Sequence, residues 1–495
     1  MAVVDYLDDV FAPVYGNEVP RIHSFSAEKI ARALYMAIMA EDKVFIYGDY
    51  DMDGLCCQMV WDVVLRLAGL KNIEHFKYVA RTHALDRDIL RQVEASDAQV
   101  VIVCDTGSSE DDAIVRRMLE NTGRTVIVID HHNFYGDYTA ETEKCYFFNS
   151  TCELDALSNE EVSGAYASLL IATILCEEYC KIPLPFDAKV WALASMYSDG
   201  VDLSSKIGRA LYNCVALGRA TGPFAIKAMN KWNYLFSRRL FSFIVTPQIN
   251  ACFRAEEFAG LNKLVSARDR IETQIAVDMI GKVRDEILPI RKQMVNLFEQ
   301  DGDDIILAVH QATEETLRLN VGNYTGFVAQ SIASERQTAV IAVVHDSEGY
   351  HGSYRDFYGR AALNRCKLFM EAGGHPAAFG VRFKSIGSVR KHLNILKDFL
   401  SKQTAKQDTY ISGNMVQTVD DVDTLALYNE YANVRSKIMI EMKVKKMDLV
   451  RSTSWTKVYD VGLPVTVSTH SSIYLGESLI LEPCICGKVE LRGVT

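Results

Sequence analysis

Val44-Phe45-Ile46-Tyr47-Gly48-Asp49-Tyr50-Asp51-Met52-Asp53-Gly54 joins an apolar run to three aspartates at alternate positions. A β-strand sends successive side chains to opposite faces, so Asp49, Asp51 and Asp53 share one parity. Carboxylates converging on one spot repel one another unless a cation neutralises them. Taken alone, the segment reads better as a solvated Asp-rich turn. Two further strand ends reverse that preference. Val100-Val101-Ile102-Val103-Cys104 runs into Asp105-Thr106-Gly107, and Val126-Ile127-Val128-Ile129 runs into Asp130-His131-His132. Three strands of buried type, each ending in metal-ligand residues, describe an active site along the carboxyl edge of a parallel sheet.

The 495 residues are enough for two to three domains, and 49% hydrophobic with 24% charged residues is an ordinary globular composition. No apolar run approaches the ~20 residues of a membrane span. The N-terminus, Met1-Ala2-Val3-Val4-Asp5, lacks the basic and apolar regions of a signal peptide, so a cytoplasmic location is expected. Twelve cysteines are scattered without a CxxC pair. Cys176 and Cys180 have the spacing of helix neighbours, and Cys484 and Cys486 would share a strand face. Reduced, buried thiols explain them better than disulfides or zinc. Net charge is −11, which argues weakly against nucleic-acid binding. Residues 205–300 depart from that average, with 15 Lys and Arg against 8 Asp and Glu. Charge alone leaves a solvated helix face as the simpler account of them.

Strands and helices alternate to about residue 203. A helix from Ser26, a plausible N-cap, to Ala40 is followed by strand Val44–Tyr47, a helix over Leu55–Ala68 and a strand at Phe76–Val79. Further helices are expected near Arg87–Glu94 and Asp111–Asn121, flanking strand Val100–Cys104, and a long one over Ser163–Tyr179 after strand Val126–Ile129. That alternation marks a doubly wound α/β domain. Residues 205–300 read as a helical connector, ending in a long helical stretch from Arg268 to Phe298. A second α/β domain begins at Asp304-Ile305-Ile306-Leu307-Ala308-Val309 and contains the core strand Thr338–Val344. The expected fold class is therefore α/β, with domains at 1–204 and 301–400, a connector at 205–300, and a small β-rich region at 401–495.

At this point the motifs resemble a known family, the DHH phosphoesterase superfamily, and within it the RecJ-like single-strand-specific exonucleases. Gly48–Gly54 resembles the first motif, Cys104-Asp105-Thr106-Gly107 the second, and Asp130-His131-His132 the third. Tyr197-Ser198-Asp199-Gly200-Val201-Asp202-Leu203 resembles the fourth. Pro247-Gln248-Ile249-Asn250-Ala251-Cys252-Phe253-Arg254 is similar to a connector motif, with Phe253 where the family has glycine. Residues 304–383 resemble the DHH-associated domain, with His351-Gly352-Ser353-Tyr354-Arg355 and Gly373-Gly374-His375-Pro376 at its substrate-facing loops. The last of these has one glycine fewer than the family's common triple. Each motif alone is weak; six in this order are specific. The tail does not clearly match the family's oligonucleotide-binding domain, although an OB-like fold is one option for it.

The resemblance implies a centre of two divalent ions, Mn²⁺ or Mg²⁺, held by Asp51, Asp53, Asp105, His131 and Asp199, with Asp105 bridging. Asp49 is a sixth ligand or an orienting carboxylate. Asp130 would orient its neighbours and His132 would contact the scissile phosphate or the leaving oxygen. Arg355, His375, Ser353, Gly373 and Gly374 would bind the nucleotide phosphates, Asn250 and Arg254 would line a cleft between the domains, and Arg81 and His83 would hold the 5′ end.

The function implied is a metal-dependent 5′–3′ exonuclease of single-stranded DNA that releases 5′-mononucleotides. The basic connector would track the strand, with aromatics such as Tyr234 or Phe241 either stacking on bases or packing in the core. The alternative is a small-nucleotide phosphodiesterase for short RNA, cyclic dinucleotides or nucleoside bisphosphates. A third reading, an inactive nucleic-acid-binding scaffold, is opposed by the retention of Asp51, Asp53, Asp105, His131 and Asp199. The partner expected is single-stranded nucleic acid, DNA preferred, with no membrane.

Overall fold

The computed structural model describes residues 19–79, 85–109, 112–132, 144–152, 161–217, 222–318, 320–347, 349–375, 377–403, 409–432, 437–452, 456–461, 463–469, 473–474, 478–485 and 489–494. The chain divides into two compact units. The first takes residues 1–250, 258–278 and 408–495; the second takes 251–257 and 279–407.

The first unit is built on a five-stranded parallel sheet. Its strands are β1 (Val44–Gly48), β2 (Ile73–His75), β3 (Val100–Cys104), β4 (Thr125–Asp130) and β5 (Cys145–Asn149), in the order β2-β1-β3-β4-β5. Every residue of β1 and β3 is buried, as a continuous apolar run requires when helices cover both faces. Its helices include α1 (Phe25–Met39), α2 (Met52–Leu67), α3 (Arg87–Ser96), α4 (Ala113–Asn121), α5 (Gly164–Ile174), α6 (Phe186–Ser198) and α7 (Lys206–Leu217). Helices α2, α5 and α6 pack on one another. In register, Gly48 lies opposite Cys104, and Cys104 opposite Ile129. The three motif loops therefore leave the sheet at one level.

Three local expectations shift. The N-cap of α1 is Ser24 rather than Ser26: its hydroxyl accepts from the Ala27 amide at 3.1 Å, and Ser26 falls inside the first turn. The strand expected at Phe76–Val79 is displaced to Ile73–His75. Backbone bonding to β1 ends with the Phe76 amide, which donates to the Ile46 carbonyl at 2.9 Å, whereas the Tyr78 amide donates to the Asn262 side chain at 2.8 Å. Strand β5 has no counterpart in the sequence pattern.

The second unit has a mixed six-stranded sheet, β6 (Glu299–Asp301), β7 (Ile305–Gln311), β8 (Ala339–Asp346), β9 (Gly349–Asp356), β10 (Glu371–His375) and β11 (Ala378–Phe383), ordered β10-β11-β9-β8-β7-β6. Strand parity sorts its core into two clusters. Leu307, Ile341, Val343 and Tyr354 enter one; Ile306, Ala308, Val340 and Ala342 enter the other, together with residues of helix Thr325–Arg336.

The described residues after 408 include the third sheet, of seven strands from Thr409–Ser412 to Val489–Val494, over a core that includes Val422, Ile440, Val467, Leu481 and Leu491. One helix, Val419–Ala432, packs on this sheet. Among the described residues, no helix is long and apolar enough to cross a membrane.

Candidate metal centre

The site is assembled from backbone outward. Gly48 closes β1 and Gly54 lies in the first turn of α2; a Cβ on Gly48 would sit 1.9 Å from the Gly54 carbonyl oxygen, so neither position admits a side chain without displacement. Asp51 is the N-cap of α2, its Oδ1 accepting from the Gly54 amide at 3.0 Å. Asp105 follows β3 in a left-handed backbone conformation, φ 63°. That region costs a residue with a side chain roughly 1 kcal/mol, and Asp is among the few that visit it. Gly164 packs against it: a Cβ there would approach the Asp105 Cβ to 3.0 Å.

Asp53 is almost fully buried and receives three N–H or O–H donors, the Gly164 amide at 2.7 Å, the Ala165 amide at 2.9 Å and the Ser195 hydroxyl at 2.5 Å, besides the weaker Cys57 thiol at 3.9 Å. The first two are free amides of the α5 N-terminus, where the helix dipole favours an anion. His131 Nε2 lies 3.0 Å from Asp105 Oδ1 and 3.5 Å from both Asp53 Oδ2 and Asp199 Oδ2. Asp199 follows the last residue of α6, at its C-cap. Three overlapping triplets of donor atoms, Asp53–His131–Asp199, Asp105–His131–His132 and Asp49–Asp51–Asp105, each fall within 4.8 Å.

The electrostatics of this cluster call for a cation. Burial, reinforced by Asp53, Asp51, Asp199 and Asp49, pushes the Asp105 carboxyl well above its ordinary range. Burial likewise raises Asp199, with Asp53 and Asp51 adding to it. Burial, then the neighbouring His132, lowers His131 and keeps its imidazole neutral. The ring also bonds the Val162 backbone, which leaves Nε2, facing three carboxylates, as the lone-pair nitrogen. Lone pairs from four side chains directed at one point fit a divalent ion. Oxygen-rich ligation with one imidazole suits Mn²⁺ or Mg²⁺.

Asp130 holds both histidine amides on Oδ1, at 2.7 Å for His131 and 3.2 Å for His132, and the His132 Nδ1 at 2.8 Å. Its Oδ2 takes the Ser108 amide at 3.1 Å and the Ser108 hydroxyl. These partners outweigh burial and hold its carboxyl well below the usual range. Although burial opposes it, Asp130 in turn raises His132 to about 9. Asp49 is tied through its carbonyl, which accepts from Tyr78 Oη at 3.3 Å. Gln58 donates to that hydroxyl at 2.8 Å, and beyond it His75 bridges Gln58 and Asp62.

The structure thus brings Asp49, Asp51, Asp53, Asp105, Asp130, His131, His132 and Asp199 together. In the second unit, Ser353, Gly380 and Gly373 form one row across β9, β11 and β10 by backbone register, and Arg355, Ala378 and His375 form the row two positions along, on the same parity. Burial pushes the Arg355 guanidinium down to about 10, still charged at neutral pH. Gly326 gives it room, since a Cβ there would lie 2.9 Å from Nη2. Gly374 has φ 125°, which selects glycine. Asn250 belongs to the first unit and Arg254 to the second. The Asn250 Oδ1 is buried without a hydrogen-bond partner, as are Thr246 Oγ1 and Arg239 Nε. Arg81 and His83 lie outside the described residues, as does the side chain of His375.

Of the two readings open for Phe241 in the connector, base platform or core, the structure selects core. Phe241 is fully buried and stacks on Tyr197 and Phe236, so it has no face for a base. Among the described residues of the connector, Trp232 and Phe243 are the large aromatics left exposed. Trp232 stacks on Tyr234, and the Arg239 guanidinium lies 5.2 Å from the Phe243 ring. Ser108, Ser195 and the α5 amides are invisible to sequence reading because isolated serines and backbone groups leave no spacing pattern.

Residues 43–193 match the model of the DHH family, N-terminal domain. That segment carries the DHH-family N-terminal domain. The architecture of the chain is RecJ-like. The chain is 22% identical over 419 residues to the single-stranded-DNA-specific exonuclease RecJ of Bacillus subtilis, covering 81% of this chain and 51% of that protein, so it spans about half the relative's length. The crystal structure of RecJ in complex with Mn²⁺ from Thermus thermophilus superposes with a TM-score of 0.71 at 17% identity, covering 98% of this chain and 73% of that one. The Mg²⁺ complex of the same organism's RecJ gives 0.65 at 16% identity, covering 99% and 72%. The family and the acidic cluster together support a metal-dependent phosphoesterase.

Proposed function

We propose that this protein is a metal-dependent exonuclease that degrades single-stranded DNA in the 5′–3′ direction and releases 5′-mononucleotides. The observation that carries the reading is the convergence of five carboxylates and one neutral imidazole at three strand ends and the end of α6, in overlapping triplets whose donor atoms lie within 4.8 Å of one another. The activity for which the B. subtilis relative is named supports the choice of single-stranded DNA.

In this reading Asp51, Asp53, Asp105, His131 and Asp199 would hold two divalent ions, with Asp105 shared between them and Asp49 as a further ligand. Such ions supply a water made acidic enough to attack at neutral pH and offset charge on the phosphoryl oxygens. The chain's own groups do the positioning. Asp53 is fixed by three donors, so it faces the site in one orientation. Asp130 orients His132 through Nδ1 and keeps it cationic, leaving Nε2 to donate to the scissile phosphate. Arg355, Ser353, His375 and the side-chain-free backbone of Gly373 and Gly374 bind substrate phosphates. Asn250 and Arg254 contact the nucleotide, and the unpartnered Asn250 oxygen supports its part in this. Arg81 and His83 bind the 5′ end.

The test is an end-labelled comparison of single-stranded DNA, RNA and a cyclic dinucleotide with Mn²⁺ or Mg²⁺. Mononucleotides from the first time points on single-stranded DNA are expected. Preference for the cyclic dinucleotide, or cutting of a circular single strand at a comparable rate, would overturn the assignment.

A further inference from the structure

Asp199 is the ligand that arrives last along the chain, and the segment carrying it is gripped from outside the parallel-sheet fold. Two residues before it, the Tyr197 hydroxyl donates to Glu430 Oε2 at 3.1 Å. Four residues after it, the Leu203 amide donates to the Tyr431 carbonyl at 2.8 Å. Glu430 and Tyr431 are consecutive, at the C-terminal end of the helix Val419–Ala432 that packs on the seven-stranded sheet.

Both attachment points are internal. Tyr197, Leu203 and Glu430 are each no more than 2% exposed. The same Glu430 Oε2 accepts from the Arg238 amide at 2.6 Å, and the Arg238 guanidinium reaches Glu482 on the seven-stranded sheet at 2.5 Å. Tyr431 packs edge-on against Tyr212 and donates to Asn213 at 3.1 Å, both on α7. Between the two grips the backbone turns sharply: Gly200 has φ 68°, and the Val201 amide bonds back to Met196 at 3.0 Å. A carboxylate on so short a turn, with both flanks fixed by one helix end, has little freedom to leave the cluster.

We propose that Glu430 and Tyr431 are positioning residues for Asp199, so that the C-terminal β-rich region is part of what makes the metal centre. The inference rests on the reading of Asp199 as a ligand. Neither residue touches the reacting atoms. Their action is through Tyr197 and Leu203, and it sets the distance of the Asp199 carboxylate from His131. Loss of a hydrogen bond that orients a ligand typically weakens metal binding ~10–100-fold.

Mn²⁺ titration of the full chain, by calorimetry and by the electron paramagnetic resonance of bound Mn²⁺, tests it beside unfolding midpoints. Glu430→Ala is expected to bind Mn²⁺ about tenfold more weakly and with an altered spectrum. Glu430→Gln keeps one carbonyl oxygen for the Tyr197 hydroxyl and the Arg238 amide, and should stay within about threefold of the parent. Should Glu430→Ala fail to fold, Tyr197→Phe keeps the ring stacked on Phe241 while removing the donor, and the same weakening is expected. Folded variants with parental Mn²⁺ affinity would overturn the positioning role, as would equal losses in Glu430→Gln and Glu430→Ala. A parent chain that binds Mn²⁺ no better than its Asp105→Ala variant would overturn the metal reading itself, a different result.

Discussion

Gly48 and Gly54 meet backbone to backbone. A Cβ on Gly54 would lie 2.2 Å from the Asp49 amide nitrogen, and one on Gly48 would strike the Gly54 carbonyl. The strand end and the helix start are closed on each other, and Asp49, Asp51 and Asp53 are carried on that closure. Gly54→Ala is expected to displace all three, costing roughly 1–3 kcal/mol of stability by overpacking. Mn²⁺ binding should be abolished while circular dichroism still reports folded protein. Parental binding by Gly54→Ala would show that this close approach does not set the ligands.

Removal of the ions should stop hydrolysis. Excess EDTA is expected to abolish it and Mn²⁺ or Mg²⁺ to restore it, with Asp105→Ala and Asp199→Ala losing several orders of magnitude. Asp105→Asn is the sharper variant, because asparagine also accepts the left-handed backbone at φ 63°. It should fold as the parent does and still be inactive. Activity in excess chelator would remove the metal from the account.

The connector's arginines divide into two kinds. Arg238 is buried in an ion pair with Glu482. Arg238→Ala is expected to cost roughly 1–3 kcal/mol through the lost hydrogen bond and packing, because Glu482 keeps its second partner, Lys437, at 2.8 Å. Arg239 lies beside the exposed Phe243. Neutralising Arg239 together with Trp232→Ala and Phe243→Ala should weaken binding of a long single strand and lower its salt slope by ~0.7 for each phosphate that is no longer neutralised. An unchanged slope would return this patch to a solvated helix surface.

Glu430 also makes a pH prediction. Burial raises it from the ordinary 4.5 to about 7, despite Arg238 and its hydrogen bonds. Below about pH 4.5 it is protonated folded and unfolded alike. Between 4.5 and 7 the unfolded chain ionises first, so its contribution to stability falls as pH rises and is constant above 7. The span corresponds to ~3 kcal/mol. Denaturant unfolding at pH 5 and pH 8 should show a smaller fall for Glu430→Gln than for the parent. Identical slopes would mean that Glu430 titrates near its ordinary value.

The metal-site strands were legible because buried parallel strands are written as unbroken Val and Ile, and because ligands at their ends need no tertiary information. The order of those ends, and the family's motifs, carried the site. What stayed hidden depends on partners distant in sequence. Asp53 is held by amides 111 and 112 residues away. Tyr78 lies past the end of β2, its amide bonded to Asn262. Phe241 reads equally as a base platform or as core, and only its stacking on Tyr197 decides between them. Glu430 looks like any helix-surface glutamate until Tyr197 and Arg238 enclose it.

The division of the chain has a consequence for its synthesis. Residues 279–407 belong to the second unit, yet the chain returns at 408 to finish the first. A ribosome therefore releases the parallel sheet long before the partners of Tyr197, Leu203 and Arg238 exist. Those residues must wait, through the whole of the second unit, for Glu430, Tyr431 and Glu482 to emerge. Pairings of such long sequence separation form late and slowly, and the surface that waits for them is open to misassembly. Nascent chains halted before residue 419 are expected to hold a folded second unit beside an unfinished first one. The order in which the protein is made is thus not the order in which its metal centre is completed.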